Sequence, residues 1–428
     1  MSRRHAIATA ALKRVRTEAQ RGISQAKELR NSRRGLDWLN FFVADVQTGF
    51  GPFVAIYLAA QGWDDGRTGL ALSIGAMTMV LGRVPAGVLA DATRHKRLLA
   101  LCALMAIAAS ALILAVMPLF WPVILAQLLH GFASCMMVPL LAAISLALSG
   151  RGALSGRLGR NSVFAAVGNA VAAGLLGVVG TYLSLQAVFF MTAALTVPAI
   201  LALLMITQAD IKPRVEAMQG RGSGKKGLKR LLLDRGVIVF SACCFLFTLS
   251  NAAMLPIASS GVTRSEGAMA SIIVAASVAV AQGVTAGMSP VISWLSDNWG
   301  RRIALFVGLI VLPLRGVLLA ILDGPWALVA IQALDGVSAA MLAVLVPLVA
   351  ADLTRGTNRL NLCIGVFGLA VGVGGTVSTV LGGYLSLLFG PAFALLTLAA
   401  VGGAAAALAL LAMPETREGE DDEDEVMR

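Results

Sequence analysis

The sequence predicts an all-α membrane protein, with twelve transmembrane helices arranged as two pseudo-symmetric six-helix bundles. Three observations predict it. Apolar stretches long enough to cross a bilayer follow one another from residue 36 to residue 413. Lys and Arg crowd onto one side of the resulting topology, and the second half repeats landmarks of the first at a near-constant offset.

Of the 428 residues, 58% are hydrophobic and 13% charged, and the mean hydropathy is +0.83. A soluble domain keeps roughly a quarter of its residues charged, so most of this surface faces lipid. A helix needs about 20 apolar residues to cross a bilayer. Spans of that length are expected at 36–60, 68–90, 98–117, 122–148, 161–182 and 185–207, then at 237–258, 269–293, 303–322, 326–350, 361–385 and 391–412. They divide the chain into a basic N-terminal tail (1–35), a first bundle (36–207), a linker (208–236), a second bundle (237–413) and an acidic tail (414–428).

The net charge of +11 orients the chain rather than binding nucleic acid, because apolar runs break the basic residues into short clusters. With the N-terminus inside, the inner segments hold thirty Lys and Arg, and the outer loops hold two, Arg67 and Arg264. By the positive-inside rule this predicts a multi-pass protein of a bacterial-type inner membrane, or of an organelle derived from it, with both termini cytoplasmic. The linker, with Lys225, Lys226, Lys229 and Arg230 among Gly and Ser, reads as a connection between bundles. The acidic run from Glu415 to Glu425 reads as a solvated tail able to dock on it. In the N-terminal tail, Ile7, Ala11, Val15, Ala19, Ile23 and Ala26 fall at helical spacing. That suits an amphipathic helix on anionic lipid; a transit peptide and a disordered tail are the alternatives. The five cysteines lie inside apolar segments without metal-type spacing, which excludes a disulfide framework.

The repeat is read from four anchors in the same order. Gln47 and Pro52 match Asn251 and Pro256, and Leu89-Ala90-Asp91 matches Leu295-Ser296-Asp297. Gln127, His130 and Gly131 match Gln332, Asp335 and Gly336, and Tyr182-Leu183-Ser184-Leu185 returns as Tyr384-Leu385-Ser386-Leu387. Six spans return the chain to its starting side, so the duplicated halves share one topology. The loop Gly87-Val88-Leu89-Ala90-Asp91-Ala92-Thr93-Arg94-His95-Lys96-Arg97, and its second copy Ser293-Trp294-Leu295-Ser296-Asp297-Asn298-Trp299-Gly300-Arg301-Arg302, resemble the G-x-L-A-D-x-x-G-R/K-R/K pattern of the major facilitator superfamily. The resemblance covers residues 36–413. It implies that Asp91, Arg94, Lys96, Asp297, Arg301 and Arg302 form gating loops, in which a carboxylate caps the following helix, pairs with an arginine of the opposite bundle and latches one state. It also implies that helices 1, 4, 7 and 10 line a central cavity.

An ionisable group at membrane depth is a functional hypothesis by default. Asp45, Arg83, His130, Arg315 and Asp335 qualify, whereas Asp37 and Asp323 fall at span ends and reach water. Asp45 lies near the middle of the first span beside Gln47, Gly49, Gly51 and Pro52, and is the first choice for a proton site. His130 and its repeat partner Asp335 would each bring a titratable group to the cavity. The substrate- or proton-binding set is therefore Asp45, Gln47, Gln127, His130, Asn251, Gln332 and Asp335. Arg315 is expected to pair with Asp335 on the neighbouring helix, and Arg83 to snorkel to the interface. Small residues of span 11, among them Gly368, Gly372, Gly375 and Gly382, suit close packing at a moving interface.

These residues point to a secondary active transporter of a small solute, working by alternating access and coupled to protons. Membrane lipid and a small-molecule or ion substrate are the expected partners. No cofactor is expected beyond protons as coupling ion, and nothing sets the oligomeric state. No phosphate-binding loop suggests a primary pump, and no nucleophile–base constellation suggests an enzyme. The alternative is a transition-metal carrier with Asp45, His130 and Asp335 as donors. Span 1 and Asp352-Leu353-Thr354-Arg355-Gly356 resemble the facilitator proteins of magnetosome membranes, which implies iron as its cargo. The family's antiporter signature in helix 5 is absent, so the direction of transport stays open.

Overall fold

A computed structural model describes residues 27–44, 51–93, 95–207, 231–259, 270–322, 324–355, 357 and 359–417. Asp45, Gln47, Arg94 and Asp323 lie outside the described residues, as do most of the linker and both outer tails. The first span, α1, is described in two stretches, 27–44 and Gly51–Ala60. Then come α2 (Asp65–Ala92), α3 (Lys96–Val116), α4 (Phe120–Ser149), α5 (Leu154–Tyr182) and α6 (Leu185–Leu204). The second bundle holds α7 (Arg235–Asn251, continuing at 254–259), α8 (Ala270–Asn298), α9 (Arg301–Ile321), α10 (Pro325–Leu353), α11 (Leu360–Phe389) and α12 (Pro391–Ala412). Eleven of these helices are long and apolar enough to span a membrane.

Local chemistry explains the helix starts. Asp64 accepts the Arg67 amide at 2.8 Å, Asp234 accepts those of Gly236 and Val237, and Ser184 accepts that of Ala187 at 3.0 Å. Each supplies an acceptor to amides that have no partner inside the helix. Two helices run further toward the basic loops than hydropathy alone indicates. α1 is helical from residue 27, and α5 begins at Leu154 rather than near 161. The cause is Asp37, which is buried and takes guanidinium hydrogen bonds from Arg157 and, at 2.8–3.0 Å, from Arg160. A carboxylate expected to reach water instead joins the two helices.

Three loop-and-helix-end clusters, Lys96–Arg97, Arg301–Arg302 and Arg355–Arg359, mark one end of the bundles, called here the basic face. Exposed aromatic residues lie at both ends: Trp38, Trp294 and Trp299 toward the basic face, and Trp121, Tyr182, Trp326 and Tyr384 toward the other. Such girdles are the mark of membrane–water interfaces. Within each half the peripheral helices pair with each other, α3 with α6 and α9 with α12. Between halves the extensive contacts are α2 with α11 and α5 with α8.

The second loop copy shows why it keeps a glycine. Gly300 has φ +94°, a conformation L side chains rarely adopt, and Glu415 occupies the place a Cβ would take. The Glu415 carboxylate accepts the Arg301 amide at 2.8 Å and the Arg302 amide at 3.2 Å, so Glu415 caps α9. Glu415→Ala is expected to lower stability by about 0.5–2 kcal/mol, read as a fall in the thermal midpoint in detergent; an unchanged midpoint would deny the cap.

Candidate functional site

The bundles enclose a cavity of about 510 Å³. α1 contributes Asn40 and Val43, α2 Arg83, α5 Asn161, Ser162 and Asn169, α7 Phe247 and Asn251, and α10 Asp335. Leu141, Leu342 and Val371 make much of the rest apolar. Three of its seven polar side chains, Arg83, Asn251 and Asp335, come from residues singled out in the sequence. Asn40, Asn161 and Asn169 were missed because none belongs to the repeat anchors that singled out Asn251, and none is charged. The available signal was a recurring amide at membrane depth on α1 and α5.

Asp335 stands at the rim of a buried network. Arg315 of α9 lies 2.9 Å from its carboxylate, and its side chain is 1% exposed against 23% for Asp335. The same guanidinium donates to Asn251 and, at 2.7 and 3.2 Å, to Gln332 Oε1. Asn251 Nδ2 closes the ring on Asp335 at 2.9 Å. An unpaired guanidinium here would be costly, and four acceptor contacts remove that cost.

Of the expected binding residues, Asn251 and Asp335 reach the cavity. Gln332 is buried and holds Arg315 in place. Gln127 is buried between α4 and Gly75 of α2. His130 lines a side pocket of about 200 Å³ with Ser134, Cys135 and Arg83, its Nε2 3.3 Å from the Ser134 hydroxyl. Among the described residues no three His, Cys, Asp or Glu groups converge to hold a metal ion. Arg83 departs from expectation. It does not snorkel to the interface but crosses to the opposite bundle, donating to the Gly368 carbonyl of α11 and lining both cavities. It has no ion pair among the described residues.

The basic face is closed across the cavity's end. Asp91 accepts the Asn361 amide at 3.0 Å, the Asn361 side chain at 2.8 Å and the Leu362 amide at 2.8 Å, so it caps α11 of the other bundle. That corrects the expected cap on the following helix, α3, which begins after His95 without a side-chain cap. Lys96 is buried and donates to the Ala90 carbonyl. A Cβ at Gly87 would strike the Asn361 carbonyl, and one at Gly365 the Arg83 carbonyl, so both glycines permit the approach. The related contact of α5 with α8 is built from hydroxyls. Ser155 bonds the Ser293 carbonyl at 2.9 Å, Ser293 returns a bond at 3.0 Å, and Ser162 meets Ser289 at 2.7 Å. Here Gly159 on the facing helix supplies the room that Ser293, in place of the motif's leading glycine, does not.

The charged groups of the second loop do not reach across. Asp297 pairs with Arg301 of its own turn at 3.0 Å, and Arg301 continues to Asp352 at 3.1 Å, while Arg302 donates to Leu410. An arginine from the opposite bundle, expected for such a loop, is replaced by one from the same bundle. The closure extends roughly 13–17 Å inward, to the level of Ser162 on α5 and of Val80 against Gly372 on α2 and α11, at about 1.5 Å per residue. Beyond it the same stripes are uncovered. No atom lies within 4 Å of a Cβ built on Gly177 of α5 or Gly383 of α11, and Met77 of α2 is exposed. The bundles therefore meet on the basic face and part toward the other.

The chain matches the Major Facilitator Superfamily twice, over residues 37–286 and 241–427. It is 34% identical over 397 residues to proteins described as uncharacterized MFS-type transporters in two strains of Mycobacterium tuberculosis, covering 90% of this chain and 93% of theirs. The crystal structure of the human organic anion transporter MFSD10 superposes with a TM-score of 0.69 at 16% identity, over 89% of this chain and 99% of that one, a likeness of fold. Two six-helix halves closing on a central cavity, and these matches along nearly the whole chain, make it a membrane transporter of a solute that belongs to the major facilitator superfamily.

Proposed function

We propose that the chain is a secondary transporter that carries an amphipathic organic anion by alternating access, with protons as the coupling ion and the basic face in the cytoplasm. Arg83 carries the reading. It is a cation at membrane depth, it lines the cavity, and among the described residues no carboxylate neutralises it. The other charges there, Asp335 and Arg315, offset each other. A cavity of about 510 Å³ fits a drug-sized ligand, and walls such as Leu141, Phe247 and Leu342 suit its apolar body. The excess of Lys and Arg on one side supports the orientation, in which this structure is the outward-facing state. Protonation of Asp335 would free one N–H donor of Arg315, to which the anionic group of the cargo binds in place of the carboxylate. Cargo and proton would then move together, with Asp45 as the second candidate proton site.

The test is uptake of a panel of organic anions into proteoliposomes under an imposed pH gradient. Arg83→Gln is expected to weaken apparent affinity about 10- to 100-fold, the cost of losing a hydrogen bond to a charged group. Unchanged affinity for every transported anion, or transport indifferent to the pH gradient, would overturn the respective half of the reading.

A further inference from the structure

A second cavity, of about 380 Å³, opens on the basic face between α1, α4 and α5 and shares no lining residue with the central one. It is built from two helix faces. Arg30, Arg33, Arg34 and Asp37 recur on α1 at the i, i+3, i+4, i+7 spacing that puts side chains on one stripe. Ala153, Gly156, Arg157 and Arg160, from the start of α5, show the same spacing on the facing stripe. Five guanidiniums thus surround one carboxylate. That carboxylate is already engaged, because Asp37 takes the hydrogen bonds of both Arg157 and Arg160. Ala153 and Gly156 leave the volume between the stripes empty. Backbone carbonyls also orient two of the cations: Arg33 donates to Leu148 at 3.4 Å, and Arg157 to the Arg33 carbonyl at 3.4 Å. Like charges held this close favour an anion, and guanidinium is the group whose fork matches phosphate oxygens.

The surroundings say where that anion comes from. Trp38, half exposed, stacks on Phe42 with centroids 6.0 Å apart and meets Phe164 of α5 edge-on at 5.9 Å. Arg160 lies 5.4 Å above the same Phe164 ring. A basic pocket therefore adjoins an exposed aromatic wall at the interfacial level of a spanning bundle. A headgroup phosphate would sit among the arginines while its acyl chains lie along Trp38 and Phe42. We infer that this cavity is a binding site for the headgroup of an anionic phospholipid in the leaflet adjoining the basic face.

The test uses the purified full-length chain in detergent, titrated with dioctanoyl phosphatidylglycerol, dioctanoyl phosphatidylcholine and inorganic phosphate, with bound lipid read by native mass spectrometry. Phosphatidylglycerol is expected to bind roughly tenfold or more tightly than phosphatidylcholine, a preference that Arg30→Gln/Arg33→Gln/Arg34→Gln removes. Should the triple variant fail to fold, Arg34→Glu alone, at an exposed position, is expected to weaken phosphatidylglycerol several-fold at an unchanged thermal midpoint. Equal binding of the two lipids, or a preference that survives either folded variant, overturns the inference. So does inorganic phosphate binding as tightly as the lipid, which would assign the pocket to a soluble anion. Ending the chain at Arg417 is expected to leave lipid binding unchanged; a clear gain would assign the pocket to the acidic tail instead.

Discussion

Asp335→Ala is expected to cost about 3–5 kcal/mol of stability, the largest single effect in the molecule, because it strands Arg315 without a carboxylate in a buried site. The expectation lies at the lower end of that range, since Asn251 and Gln332 still offer acceptors to the guanidinium. Asp335→Asn should cost less, as it keeps an acceptor next to Arg315. The decisive comparison is the double variant Arg315→Met/Asp335→Leu. Removing both charges avoids the stranded cation, and replacing a buried pair with apolar groups of similar size is often neutral or stabilising. Thermal unfolding in detergent should therefore show the single variant far below wild type and the double variant recovering most of the loss. A single variant as stable as wild type would mean that water or lipid headgroups solvate Arg315. Transport by the double variant is expected to lose its dependence on the pH gradient even where stability returns.

Gly87→Val is expected to open the basic face. Its Cβ would meet the Asn361 carbonyl and the Leu362 backbone rather than a flexible side chain, so α2 and α11 must separate to accept it. Overpacking of this kind costs about 1–3 kcal/mol, and every 1.4 kcal/mol is about a tenfold change in a two-state equilibrium. The population closed on the basic face should fall by roughly 10- to 100-fold relative to a state in which the two helices part. Spin labels at His95 and Thr357, on a cysteine-free background, would report it as a shift to longer distances. An unchanged distance distribution would show that the contact is not what holds this face shut. Val at 87 leaves the Asp91 carboxylate in place, so the result separates close packing from hydrogen bonding as the source of closure.

The architecture was legible in the sequence because it rests on one-dimensional signals. Apolar length marks the spans, and the repeat of Asp91 at Asp297 marks the halves. The pairing of Arg315 with Asp335 was legible for a related reason: a guanidinium at mid-depth needs a partner, and the next helix holds a carboxylate. Less was legible where two helices far apart in sequence meet. Arg83 lies close enough to a span end to reach water, and only its contact with Gly368 turns it inward. The two loop copies read as equivalents, yet Asp91 caps a helix of the other bundle while Asp297 stays with Arg301. That difference depends on which glycine faces which neighbour, and spacing along one chain does not encode it. Asp37 likewise reads as a span-end residue until Arg157 and Arg160 fold onto it.

Among the described residues every ion pair joins two groups of the same bundle. What joins the bundles is serine hydroxyls, backbone amides and carbonyls, one buried carboxylate held by amide donors, and two guanidiniums, Arg83 and Arg151, each donating to a backbone carbonyl rather than to a carboxylate. Mobile ions screen exposed charges over a Debye length of about 8–10 Å at physiological salt, and they act far less on buried dipoles. The closed face thus belongs to a conformational equilibrium that ionic strength barely touches. A change of salt or osmolarity on that side of the membrane would leave the frequency of this closure nearly unaltered.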